Sequence, residues 1–281
     1  MNRLLKMGIW SVIAVITSLG CSTTHAFQSK SDSGAADRKL DLLLDIRMVE
    51  MDNLDNIFVV DAKNRLIKFD KNFNEKYRFA NNKNGLIKSI DVSNPLKIVV
   101  FYDDFNHIKI LDNTLSLINE LDMQLPLMDI SACAMSNDGQ LWVYDPIQFK
   151  LLKIDDHGRV LSETSNVADY GMKNVKIGGI MERDNYVVLC DYSSGFYVFD
   201  NLGQYLFRFE AGRIRHFQLD GDLILYNTDA GLETFSLKHQ ERQSITIPEL
   251  PQSEALIYVL YHSGAFFGIY REGIIKANSD E

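Results

Sequence analysis

The stretch QLWVYDPIQFKLLKIDDHGRVL, residues 140–161, decides the fold. An apolar run, LWVY, ends at Asp145, and a turn, PIQF, follows. A second run, KLLKI, ends at Asp155, and the turn DHGR leads into a third run at Val160. Runs this short, bounded by turn formers, are strands and not helices. The same three-run pattern stands at residues 56–79, 97–121, 186–209 and 223–246, and in worn form at 265–278. A fourth apolar run precedes each copy: IRMVEM, LIKSIDVS, DISACAMS, VKIGGIM, IRHFQL and ALIYVLY.

Four antiparallel strands repeated at about forty residues is the arithmetic of a propeller blade. Asp70, Asp112, Asp155 and Asp200 close the third run of four successive copies at spacings of 42, 43 and 45. One such sheet cannot bury both of its faces; a ring of them can, each sheet covering the next. The expected fold is an all-β propeller over residues 39–281, of six blades, with seven as the alternative because the last copy is worn and the first compressed. The last copy has only three good runs, and an extra run stands at residues 40–44. The N-terminal run is therefore expected to supply the outermost strand of the last blade and close the circle.

The first twenty residues read differently. Arg3 and Lys6 precede an uncharged stretch from Met7 to Leu19, then Gly20 and Cys21. This is the export-signal pattern, and thirteen residues at helical rise reach about 20 Å, short of a membrane's hydrocarbon core. Leu19-Gly20-Cys21 resembles the bacterial lipobox, in which cysteine becomes the first mature residue and carries acyl chains. Ser18 stands where that box usually has leucine. The resemblance implies a signal peptide over 1–20, a lipid anchor at Cys21 and a flexible tether over 21–38, rich in Ser, Thr, Ala and Gly. Ordinary secretion with cleavage after Ala26 is the alternative. No Asp follows Cys21, and the mature start lacks an acidic cluster, so the expected location is the outer membrane, facing the periplasm. Two bases and no acid leave with the leader, taking the formal charge from −9 to −11.

That acidity argues against a nucleic-acid partner, which needs a basic stripe. Composition is otherwise that of an ordinary globular domain, 46% apolar with 16 Phe and 12 Tyr.

Asp61, Asp103, Asp145, Asp191 and Asp229 each follow a second run, at spacings of 42, 42, 46 and 38. They read either as turn starters bonding their own backbone or as an acidic rim on one face. The innermost runs hold four polar candidates for a central channel: Glu50, Lys88, Arg215 and His216. Cys133 and Cys190 lack CxxC spacing and read as buried thiols. The histidines are dispersed, with no HExxH, P-loop, GxGxxG or G-x-S-x-G motif, so no metal, cofactor or catalytic residue is expected. Of the second-run aromatics Phe58, Tyr102, Trp142, Tyr144, Tyr186 and Tyr226, about half are expected to pack between blades.

The repeats resemble NHL-like and quinoprotein-like propellers, including the propeller lipoprotein of the outer-membrane β-barrel assembly machinery. Residues 87–116 resemble propeller lipoproteins of Bacteroidota. The Trp-Asp and Gly-His marks of WD40 repeats are absent. The resemblance implies a membrane-tethered, non-catalytic platform for another envelope protein, serving assembly, secretion or transport. A propeller enzyme or a small-molecule or glycan binder using the channel is the alternative.

Overall fold

The computed structural model describes residues 38–41, 45–123, 129–171, 175–243, 245, 247–248, 250–251 and 256–278. The expected leader, the expected lipid anchor at Cys21 and the expected tether up to residue 37 lie outside them. Blade 1 comprises β2 (Ile46–Met51), β3 (Ile57–Asp61), β4 (Arg65–Phe69) and β5 (Glu75–Ala80). Blade 2 comprises β6 (Ser89–Asp91), β7 (Ile98–Tyr102), β8 (His107–Leu111) and β9 (Leu117–Asp122). Blade 3 comprises β10 (Ala132–Met135), β11 (Leu141–Asp145), β12 (Lys150–Ile154) and β13 (Val160–Glu163). Blade 4 comprises β14 (Ile177–Arg183), β15 (Tyr186–Asp191), β16 (Gly195–Asp200) and β17 (Tyr205–Glu210). Blade 5 comprises β18 (His216–Asp220), β19 (Leu223–Thr228), β20 (Gly231–Ser236) and β21 (Glu241–Gln243). Blade 6 is β22 (Leu256–His262), β23 (Ala265–Tyr270) and β24 (Gly273–Asn278), completed by β1 (Arg38–Asp41).

The blade number is six. The N-terminal strand closes the last blade as expected, two residues earlier than the run suggested: β1 pairs antiparallel with β24, from Arg38 opposite Lys276 to Asp41 opposite Gly273. Six apolar cores lie one at each seam between neighbouring blades. Phe58 and Val60 of β3 face blade 2, whereas Ile57 and Val59 of the same strand face blade 6. Strand alternation thus sends successive residues into two different cores. That is why β3 and β11 are buried along their whole length while β5 and β13 are largely exposed.

Four hairpins between third and fourth strands share one local construction. The carboxylates of Asp70, Asp112, Asp155 and Asp200 each accept the N–H groups two and four residues on, at 2.8–3.0 Å. The residue three places on has positive φ in all four: Phe73, Leu115, Gly158 and Gly203. Each hairpin also carries a register shift beside the turn. This is a turn closed by a one-residue bulge, and two copies accommodate a large side chain where glycine would fit without strain.

These bonds hold three carboxyls below the ordinary 3.8. Asn74 does so for Asp70 and Thr114 for Asp112. At Asp155 burial pushes upward, and bonds from Arg159 and His157 outweigh it. A carboxyl depressed in the folded state stabilises above its unfolded value and loses that contribution as pH falls through its folded value. Urea midpoints are therefore expected to drop from about pH 5 to about pH 2. The drop should shrink in the combined variant Asp70→Asn, Asp112→Asn, Asp155→Asn; an unchanged pH slope in that variant would refute the assignment.

Cys133 and Cys190 are buried free thiols in different seams, between blades 2 and 3 and between blades 4 and 5. Burial raises both above the ordinary thiol value. Among the described residues no helix is long and apolar enough to cross a membrane; the only helical element among them is a 3-10 turn at Val167–Tyr170.

Candidate functional site

In a ring of equivalent meanders, the connections between second and third strands and those between blades emerge on one face. The other two sets of turns emerge on the opposite face. All the predicted rim and channel residues belong to the first set or to the innermost strands.

The acidic positions divide. Asp61, Asp145 and Asp191 are buried and taken up by their own turns. Asp61 accepts the N–H groups of Lys63 and Arg65, Asp145 those of Ile147 and Gln148, and Asp191 those of Ser193 and Lys176. Asp103 and Asp229 are more exposed and pair with cations, Lys88 at 3.0 Å and Arg215 at 2.8 Å. Two of the four channel candidates are thereby held at the rim.

The other two meet. His216 Nε2 of β18 lies 2.8 Å from Glu50 Oε1 of β2, so blades 5 and 1 touch past blade 6. The imidazole stacks on Tyr258 of β22, centroids 4.2 Å apart. The Tyr258 hydroxyl accepts from Val49 N–H at 2.6 Å and donates to Val49 C=O at 2.9 Å. His216 is nine-tenths buried, and its Nδ1 has no hydrogen-bond partner among the described residues.

Innermost strands present an unpaired backbone edge to the channel, and each exposed N–H and C=O needs a partner. Side chains of neighbouring blades supply several. The Gln218 amide brackets Tyr261 through its N–H and C=O, and the Asn227 amide brackets Val259. Asp91 accepts Met135 N–H at 2.8 Å and Ser93 N–H at 2.8 Å. Burial raises the Asp91 carboxyl, and those bonds partly offset it.

Above this channel, on the face of the inter-blade connections, a cavity of about 570 Å3 opens between blades 4 and 6. Tyr192, Arg213, Ile214, Arg215, Leu256, Ile257 and Arg271 line it. Tyr192 reaches inward because β14 carries Gly178 and Gly179. A Cβ at Gly179 would fall 2.9 Å from the Tyr192 hydroxyl and 2.7 Å from the Phe217 ring. Burial, with Cys190 and Glu50 nearby, holds the Tyr192 phenol above its ordinary 10.

Sequence reasoning missed this cavity, although the paired glycines of VKIGGIM signalled a close approach over that strand. It also placed too many aromatics in doubt: Phe58, Tyr102, Trp142, Tyr144 and Tyr226 are all fully buried, and only Tyr186 is half-buried. The exposed large apolar side chains of this face sit in its connections instead. Leu86 is 57% exposed, Phe105 46% and Ile147 71%. The first two are fastened together, since Leu86 N–H donates to Asp104 at 3.2 Å. Gly85 makes that approach possible, with φ +83° and a hypothetical Cβ only 2.2 Å from Asp104 Oδ2. Asp155, Asp156 and His157 group on the opposite face as possible metal ligands, but Asp155 is occupied by its own turn and Arg159.

No protein-family model and no curated protein sequence matches the chain. Solved structures do. The chain is similar to a virginiamycin B lyase from Staphylococcus aureus, crystallised with quinupristin, at TM-score 0.61 and 9% identity over 86% of this chain and 98% of that one. The WD40 domain of Neurospora crassa Pan2 matches at TM-score 0.58 and 13% identity, over 81% and 73% of the two chains. BamB from Moraxella catarrhalis matches at 0.51 and 13%, over 82% and 83%. At such identities these likenesses establish the fold the chains share, a β-propeller, and nothing of its activity.

Proposed function

We propose that this chain is a membrane-tethered, non-catalytic propeller that serves as a protein-interaction platform of the bacterial cell envelope, in assembly, secretion or transport. Cys21 is the lipid anchor, and the outer membrane, on its periplasmic side, is the location. The leader pattern supports the tether, and the likeness to BamB supports a propeller in this setting. The observation that carries the reading is the apolar sector of Leu86, Phe105 and Ile147, held out on turns fastened to the ring. Rigid loops present these side chains with little entropy left to lose on docking. Acyl chains confine them near the membrane and raise effective concentration.

The test is a crosslinked pull-down from membranes with the wild type, Cys21→Ser, and the paired variant Phe105→Glu, Ile147→Glu. One protein is expected to co-purify reproducibly with the wild type and to fall at least about tenfold with the paired variant. Cys21→Ser should leave the membrane fraction. No reproducible partner, or a partner indifferent to the paired variant, refutes the platform.

A second reading, an enzyme or a small-molecule or glycan binder working in the channel, draws on the His216–Glu50 pair. It is the weaker one, because Lys88 and Arg215 are drawn off to rim acids.

A further inference from the structure

The cavity above the channel is cationic in a chain whose formal charge is −9. Three of its seven lining residues are arginines. Arg215 is matched by Asp229 at 2.8 Å. Arg271 stands only loosely near Asp45, at 3.9 Å. Arg213 is exposed and has no ion-pair or hydrogen-bond partner among the described residues. Among the described residues the sum is about one uncompensated positive charge, centred on a guanidinium fork that suits a carboxylate's two oxygens.

The remaining walls are apolar or aromatic: Ile214, Leu256, Ile257 and the Tyr192 ring. Apolar side chains beside guanidinium groups give this open cleft both a surface for an apolar body and an anchor for a charge. The cavity is also built rather than incidental. Gly178 and Gly179 clear the space that lets Tyr192 form its wall. Ile214 is buried in the seam between blades 4 and 5, which fixes the backbone between Arg213 and Arg215. His216, next along the chain, is nine-tenths buried with Nδ1 unpartnered among the described residues. The mouth and the channel beneath it thus each hold a polar group without a partner among the described residues.

We infer that this cavity binds a monoanionic carboxylate attached to a compact apolar or aromatic body, the carboxylate on Arg213 and Arg271 and the body against Tyr192 and Ile257. A dianionic phosphate fits less well, since Asp229 and Asp45 already answer two of the three guanidinium charges. The carboxylate can belong to a free small molecule or to the C-terminal residue of a peptide. The site is separate from the apolar sector of Leu86, Phe105 and Ile147, so it stands or falls independently of the platform reading.

Ligand-observed NMR titration of the full chain tests it, with N-acetylphenylalanine, its uncharged amide, inorganic phosphate, and a tripeptide ending in phenylalanine as free acid. N-acetylphenylalanine is expected to bind, its amide about tenfold more weakly or not at all, and phosphate more weakly than the acid. Binding should weaken with added salt. Arg213→Gln should reduce affinity about tenfold, while Arg183→Gln on the opposite face leaves it unchanged. A tripeptide that outcompetes the amino acid assigns the site to a chain terminus; the reverse assigns it to a small molecule. Equal binding of acid and amide, no effect of Arg213→Gln in a folded protein, or no binding at millimolar acid overturns the inference.

Discussion

Trp142→Ala is expected to lower the unfolding free energy by about 4 kcal/mol and Tm by about 10 °C. Trp142 is 1% exposed in the seam between blades 3 and 4, packed with Tyr144, Val187, Leu189 and Phe199. Its truncation leaves a large void in a core that neighbouring strands cannot collapse to fill. It also strands a charge. The indole N–H donates to Glu182 Oε2 at 2.6 Å, and Glu182 is 7% exposed. That carboxylate also accepts Asn137 N–H at 3.2 Å, so the bond ties three segments of two blades. Trp142→Phe keeps most of the packing and removes the donor, and is expected to cost about 2 kcal/mol. Urea denaturation of the three proteins checks both figures. A loss under about 1 kcal/mol for Trp142→Ala would mean that the seam repacks freely.

Removing the closing strand should act on association as well as stability. A chain beginning at Leu42 lacks β1, and β24 then has a bare edge where Gly273 to Lys276 had been paired. Four residues of antiparallel ladder carry about four backbone bonds, which at about 1 kcal/mol each amount to roughly 4 kcal/mol. The larger consequence is an exposed strand edge, a template for pairing with another chain. The shortened protein is expected to unfold at lower urea and to form dimers or larger species as concentration rises, read by light scattering after size exclusion. A monomer with an unchanged midpoint would show that the ring does not need its seam.

The architecture was legible because each blade advertises itself locally. The turn aspartates bond N–H groups two to four residues away, so their identity and their turns are both short-range events. Alternation and run length did the rest, and the spare N-terminal run told where the circle closes. What stayed hidden joins residues about one blade apart or more. Trp142 meets Glu182 forty residues on, Asp91 meets Met135 forty-four on, and Gln218 meets Tyr261 forty-three on. The repeat makes such distances possible without choosing the pairs. Glu50 and His216 were legible as polar residues of innermost runs, but their meeting across 166 residues was not. The arginine cavity was harder still, since Arg213 and Arg271 come from different blades and neither lies in a motif.

The placement of the two buried sulfurs sets what surroundings this ring tolerates. Thiol–disulfide exchange needs a thiolate within reach of an attacker. Both sulfurs are shielded from solvent and held protonated, and two whole blades separate their seams. The propeller thus neither gains a crosslink in an oxidising compartment nor loses one in a reducing one. A disulfide between these two sulfurs would require the blades between their seams to come apart.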